Sequence, residues 1–118
     1  MNKTIEKINH LIQEELAEII NRQIELESNV LISISRVVTV SNLSLAQVGI
    51  NCFPSDKEKE VIKILHKNKG RLKQELGKKV KLRRMPDLRF YIDKDGQAEL
   101  EAREEVDRIL DSLKQDNH

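Results

Sequence analysis

Two runs of residues, VLISISRVVTV at 30–40 and LAQVGINCF at 45–53, stand only four residues apart, and no other feature narrows the possible folds as much. The first is rich in β-branched residues, and both alternate apolar with polar or small side chains, the period-two signature of a strand whose faces meet different surroundings. A link this short cannot carry a crossover, so the two strands are expected to pair antiparallel. Ser41-Asn42 supplies the turn chemistry between them. In the second run Ala46, Val48, Ile50 and Cys52 share one face and Gln47, Gly49 and Asn51 the other, which predicts one buried face and one wet one.

Helical patterns flank this pair. Over 3–24, Ile5, Ile8, Ile12, Leu16, Ile19 and Ile20 recur at spacings of three and four, with Lys7, Glu14, Glu15 and Glu18 elsewhere on the wheel. A core-packing helix is expected there, capped by Asn2, and its acidic polar side does not suit an anionic lipid surface. After Pro54, Ser55 and Glu58 have the spacing of a capping box. Val61, Ile62, Ile64 and Leu65 then supply a buried side, while Lys59, Lys63 and Lys67 fall along one exposed row. Asn68-Lys69-Gly70 interrupts the helical propensity, and the freedom of Gly70 predicts a kink. A second short helix through Leu72 and Leu76 would close on Gly77. Beyond Pro86 a third strand is expected over 88–93, with Leu88, Phe90 and Ile92 on one face.

Asp93-Lys94-Asp95-Gly96 reads as a turn, since the remaining ligand positions of a calcium loop are missing. Ala98, Ala102, Val106, Ile109 and Leu113 mark a final amphipathic helix over 98–114, followed by a disordered QDNH tail. The expected order is α-β-β-α-(kink)-α-β, an α+β fold in residues 1–96. Residues 97–118 would then form a C-terminal helix and tail.

Little in the chain supports catalysis. His10, His66 and His118 are scattered, with no HxxxH or HxH spacing, and Cys52 is the single cysteine, so neither a metal site nor a disulfide framework is expected. Cys52 lies with the apolar set and reads as a structural thiol. Six residues separate Gly70 from Gly77-Lys78, where a phosphate loop has four, and Lys79 stands where Ser or Thr would ligate magnesium. No cofactor is expected. No stretch of 18 apolar residues occurs and the first ten residues lack an apolar core, so a cytoplasmic protein with no membrane partner is expected.

The charge distribution points elsewhere. Over 57–89 there are thirteen Lys and Arg against Glu58, Glu60, Glu75 and Asp87, a net of +9. Residues 1–56 hold four basic and seven acidic residues, and residues 90–118 four and nine, so the overall +1 conceals a polarised molecule. A local excess of this size is a footprint for a polyanion. The chain's only aromatics are Phe53, Phe90 and Tyr91, so it has few platforms for stacking bases, and contact is expected through phosphates and shape. Lys63, Lys67, Lys69, Arg71 and Lys73 would grip phosphates around the kink, with Gly70 permitting close approach of a sugar-phosphate backbone. Lys78, Lys79, Lys81, Arg83 and Arg84 would extend the track.

A glycine loop between two helices has this role in KH domains, and the element order matches the bacterial, type II form of that fold, although a literal GXXG is absent. Three segments go further. EELAEII at 14–20, VVTVSNLSLAQVGI at 37–50 and GRLKQELGKKVKLRRMPDLRFYID at 70–93, the last with the pattern L-R-x-x-P-x-L-x-F-x-x-D from Leu82 to Asp93, resemble ribosome-binding factor A, a bacterial small-subunit assembly factor. The resemblance covers about residues 3–93. That family carries an Ala-x-Gly kink, where this chain has Asn68-Lys69-Gly70. The resemblance implies a type II KH-like fold with a three-stranded mixed sheet in the order 1-2-3, strands two and three parallel, and helices over one face. It implies a protein without enzymatic activity that binds the free 30S subunit and its 16S rRNA, assists maturation of that RNA including the 5′ end region, and matters for growth in the cold; a monomer is expected. A generic KH-like RNA chaperone or mRNA-binding module without ribosome preference is the alternative. An adaptor using the acidic C-terminal helix is a reading of another class.

Overall fold

The computed structural model describes residues 3–94. The chain runs through α1 (Lys3–Gln23), β1 (Leu31–Thr39), β2 (Leu45–Phe53), a 3-10 turn (Ser55–Lys57), α2 (Glu58–Lys67), α3 (Lys69–Lys79) and β3 (Asp87–Ile92). The expected α+β architecture is present. The sheet order is β1-β2-β3, with β1 and β2 antiparallel and β2 and β3 parallel, because the helical pair α2–α3 carries the chain across between them. The helix and turn expected over residues 95–118, the boundary at residue 96, and the expected Asn2 cap lie outside the described residues.

Alternation along the strands builds the core. Ala46, Val48 and Ile50 of β2 stand level with Leu88, Phe90 and Ile92 of β3 and with Thr39, Val37 and Ile34 of β1. Against this face pack Ile12, Leu16, Ile19 and Ile20 of α1, Val61 and Leu65 of α2, and Leu72 and Leu76 of α3, all buried in one cluster. The helices therefore cover one side of the sheet, and Ile, Leu and Val supply almost all of the buried volume. A bulge at Ser35, where the β1–β2 register shifts between Ile34 and Arg36, keeps Ile34 and Val37 on the same face despite their odd separation.

The outer edge of β1 is closed by α1. Gln13 Nε2 donates to the Ile34 carbonyl at 3.0 Å, and Asn9 Oδ1 accepts the Thr39 amide at 2.9 Å. Asn9 and Gln13 are one helical turn apart, so a single helix edge satisfies two backbone groups that an unpaired edge strand would present to other chains.

Several local expectations are corrected. Ser55 makes no capping hydrogen bond to α2, because a 3-10 turn intervenes and the helix starts at Glu58 behind Lys57. Gly77 does not end α3; the helix continues to Lys79, with Val80 leaving in extended conformation. Gly77 instead lies under the segment leading to β3, where a Cβ would meet Met85 Cγ at 3.6 Å, ordinary contact. The non-core face of β2 is not wet at its centre, where Gln47 and Gly49 are buried. The positive φ in the β1–β2 link belongs to Leu43, at 62°, whose amide bonds back to the Val40 carbonyl while its side chain is buried. Beside it Asn42 Oδ1 accepts the Ser44 amide at 3.0 Å, the turn chemistry expected of Asn at that place.

Candidate nucleic-acid interface

The joint between α2 and α3 is a single residue. Asn68 has φ −104° and ψ 8°, outside the helical well, and serves both as the end of α2 and the entry to α3. Its amide bonds to the Ile64 and Leu65 carbonyls, its own carbonyl accepts the Leu72 amide at 3.0 Å, and its side-chain Nδ2 donates to the Ile64 carbonyl at 2.8 Å. The side chain that distinguishes this joint thus ties the corner to the last turn of α2, adding a second donor to the Ile64 carbonyl that the Asn68 amide already engages. Gly70 does not make the kink, since no glycine in the described residues has a positive φ. Its contribution is space: a Cβ there would find no heavy atom within 4 Å. The first turn of α3 has no acidic residue and no side-chain cap.

Around this corner the structure gathers Lys63 and Lys67 on the exposed row of α2 with Lys69, Gly70, Arg71 and Lys73 on the first turns of α3. Lys78, Lys79, Lys81, Arg83 and Arg84 form a second group at the far end of α3 and in the segment after it. At 1.5 Å per residue, Lys69 and Lys79 are about 15 Å apart along the helix. The eleven positions are thus two clusters joined by one helix. They lie at the surface, with Lys73 half-buried.

The members are not equivalent. Lys73 Nζ meets Asp87 Oδ1 at 2.6 Å, Arg71 donates to Gln23 Oε1 of α1, and Lys78 contacts Glu75 at 3.4 Å. Among the described residues Lys63, Lys67, Lys69, Lys79, Lys81, Arg83 and Arg84 have no ion-pair partner. Sequence reasoning did not distinguish the two sets, because Gln23 and Asp87 lie 48 and 14 positions away from the side chains they engage. It also passed over His66, between the two lysines of the α2 row. Burial and the nearby Lys69 and Arg89 charges lower its pKa below the ordinary value, so the corner holds a neutral imidazole within a positive field.

Among the described residues no cluster of His, Cys, Asp and Glu could hold a metal ion. The half-buried Cys52 thiol is pushed up by desolvation and by Glu58 and Asp56, the reverse of what a reactive cysteine needs. No described helix is long and apolar enough to cross a membrane.

Comparison with known proteins decides the family. The model of the ribosome-binding factor A family matches residues 4–110. This chain belongs to the ribosome-binding factor A family. The family member of Christiangramia forsetii is 36% identical over 112 residues, covering 92% of this chain and 80% of that protein. That of Flavobacterium johnsoniae is 35% identical over 108 residues, covering 88% and 80%. The crystal structure of ribosome-binding factor A from Thermus thermophilus superposes with a TM-score of 0.66 at 22% identity, over 75% of this chain and 93% of that one. A Thermus thermophilus ribosome-binding factor A homology model, fitted into the cryo-EM map of its complex with the 30S subunit, gives a TM-score of 0.61 at 24% identity, over 70% and 88%. Both likenesses show that the fold is shared.

Proposed function

We propose that this chain is a non-catalytic ribosome assembly factor that binds the free 30S subunit through the basic surface of α2, α3 and the segment 78–84. The observation that carries this reading is the set of exposed lysines and arginines without ion-pair partners among the described residues, around an open helix corner in a member of the ribosome-binding factor A family. Phosphates are the chemistry such a surface fits: Lys63, Lys67 and Lys69 offer mobile point charges, and Gly70 leaves room for a backbone to reach the amides at the start of α3. Lys79, Lys81, Arg83 and Arg84 continue the contact along the same RNA. The Thermus relative fitted into a 30S map supports the small subunit as the particle. In this reading the protein acts as a cytoplasmic monomer without a cofactor. Its type II KH-like fold is laid against 16S rRNA, it assists maturation of that RNA, including the 5′ end region, and its contribution grows in the cold.

The test is co-sedimentation of the full chain with isolated 30S, 50S and 70S particles at two salt concentrations. Retention on 30S alone, weakened by salt, is expected. Equal retention on all three particles would reduce the protein to a general RNA-binding module, and absence from all of them would remove the RNA reading.

A further inference from the structure

The sheet has a second face, turned away from α1–α3, and its centre is closed to solvent. By register Gln47 of β2 stands between Val38 of β1 and Arg89 of β3, and Gly49 between Arg36 and Tyr91. Gln47 is 1% exposed, and both polar atoms of its side-chain amide are buried without a hydrogen bond. A bare three-stranded sheet would let water reach a glutamine on its middle strand, and burying an amide away from water is unfavourable unless packing over it compensates. None of the described helices packs on this face.

The last described residues border this face. Asp93, one residue beyond β3, turns its carboxylate onto the face with its side chain only 8% exposed. There it accepts the Ser35 hydroxyl at 2.6 Å and lies 3.6 Å from Arg36 Nε. Beyond Lys94 come 24 residues, opening with Asp95-Gly96, which suits a reversal of direction. The apolar positions Ala98, Ala102, Val106, Ile109 and Leu113 follow at helical spacing. A helix over 98–114 would be about 25 Å long at 1.5 Å per residue, close to the roughly 30 Å of a nine-residue strand such as β1 or β2. Its surroundings match in charge as well, since residues 97–118 hold seven acidic against three basic residues, and Arg36 and Arg89 stand on the face.

We propose that residues 98–114 pack as an amphipathic helix across this second face, with the Ala98–Leu113 stripe over Gln47 and beside the Ser35 and Tyr91 side chains that cover Gly49, so that the sheet lies between two helical layers. The arrangement would place the acidic segment behind the sheet and the basic row of α2–α3 in front, presenting a polyanion with one favourable side. The packing stands on the sheet alone and holds whether or not the RNA reading does.

The test uses the full chain with Cys52→Ala and Glu105→Cys, Glu105 flanking the apolar stripe, carrying a nitroxide label. Amide signals of Val38, Gln47, Arg89 and Tyr91 are expected to broaden, and those of Lys63 and Lys67 to stay sharp. No broadening on the sheet, or broadening confined to α1–α3, overturns the proposal. So does broadening that arises only between labelled and unlabelled chains, because the occupant is then a second copy. In an otherwise native chain, Ile109→Asp should expose the Gln47 side-chain amide to a soluble paramagnetic probe while the α1–α3 signals keep their positions. Unchanged protection of Gln47 in that variant also counts against it.

Discussion

His66 Nε2 accepts the backbone amide of Phe90 at 3.1 Å, and the two rings lie 5.7 Å apart between centroids, tilted by 58°. The Phe90 amide points away from β2, toward the outer edge of the sheet, because the neighbouring odd positions of β3 are the ones directed at β2, as in the Asp87 and Asp93 amide bonds to Ser44 and Ile50. One imidazole therefore does for β3 what Asn9 and Gln13 do for β1. Accepting a hydrogen bond at Nε2 requires that nitrogen to be unprotonated. Burial and the positive charges of Lys69 and Arg89 favour the neutral ring too, and hold the pKa below its ordinary 6.5. Between the lowered folded value and 6.5 the unfolded chain binds more protons, so this contribution to stability is complete above that window and declines as pH falls through it. Urea unfolding of the native chain and of His66→Gln, which keeps an acceptor but cannot titrate, should show a smaller loss of midpoint in the variant between about pH 7 and pH 5. Parallel pH dependences would remove His66 as the titrating group.

The α1 amides make a second prediction. Asn9→Ala leaves the Thr39 amide without its partner, and Gln13→Ala does the same to the Ile34 carbonyl. Each is expected to cost about 1 kcal/mol in chemical unfolding, with unchanged cooperativity, since the helix itself tolerates alanine. The double variant should also self-associate at concentrations where the native chain does not, because the β1 edge is then open. Light scattering reads the second effect separately from the first.

Gly49 is fixed by what stands over it. A Cβ there would come within 2.7 Å of Ser35 Oγ and 2.9 Å of Tyr91 Oη, both closer than real side chains allow. Ser35 cannot give way cheaply, being held by Asp93 at 2.6 Å and placed by the bulge in β1. Gly49→Ala should destabilise by about 1–3 kcal/mol through overpacking, despite the higher strand propensity of alanine. Gly70→Ala, with open space at its Cβ and a helical position, is the contrast: stability should rise slightly or stay level. Thermal unfolding of the two variants side by side checks both.

The strands and helix faces were legible because alternation and three-four spacing report burial directly. Ala46, Val48 and Ile50, or Leu72 and Leu76, are core in the sequence and core in the fold. Local punctuation was less reliable. Ser55 and Glu58 have capping-box spacing, but the chain leaving β2 needs a 3-10 turn before α2 can start, and that turn uses the capping positions. Gly77 looks like a helix end because only its neighbours in sequence are visible, whereas Leu76 and Val80 on either side are buried and hold the helix through it. Gln47 is polar by composition and buried by location. The basic surface was legible as a charge excess, but its division into paired and unpaired side chains depends on Gln23 and Asp87, whose proximity is made by the fold.

That division makes the sharpest prediction for the basic surface. Lys63, Lys67 and Lys69 have no ion-pair partner among the described residues, whereas Arg71 and Lys73 are already engaged with Gln23 and Asp87. A phosphate reaching the first group displaces only water and counterions; at the second it must compete with a partner in place. Lys63→Ala/Lys67→Ala/Lys69→Ala should therefore weaken RNA binding more per residue removed than Arg71→Ala/Lys73→Ala. It should lower the slope of log affinity against log salt by roughly 2, since each single-strand phosphate left unneutralised is worth about 0.7. Both variants should keep the native fold, although Lys73→Ala also frees Asp87 at the start of β3 and should cost up to about 1 kcal/mol of stability. Filter binding of 16S rRNA fragments across a salt series, beside circular dichroism of each variant, separates the two effects. Equal losses per residue from the two sets would mean that the pairs seen in the free protein open without cost when RNA arrives.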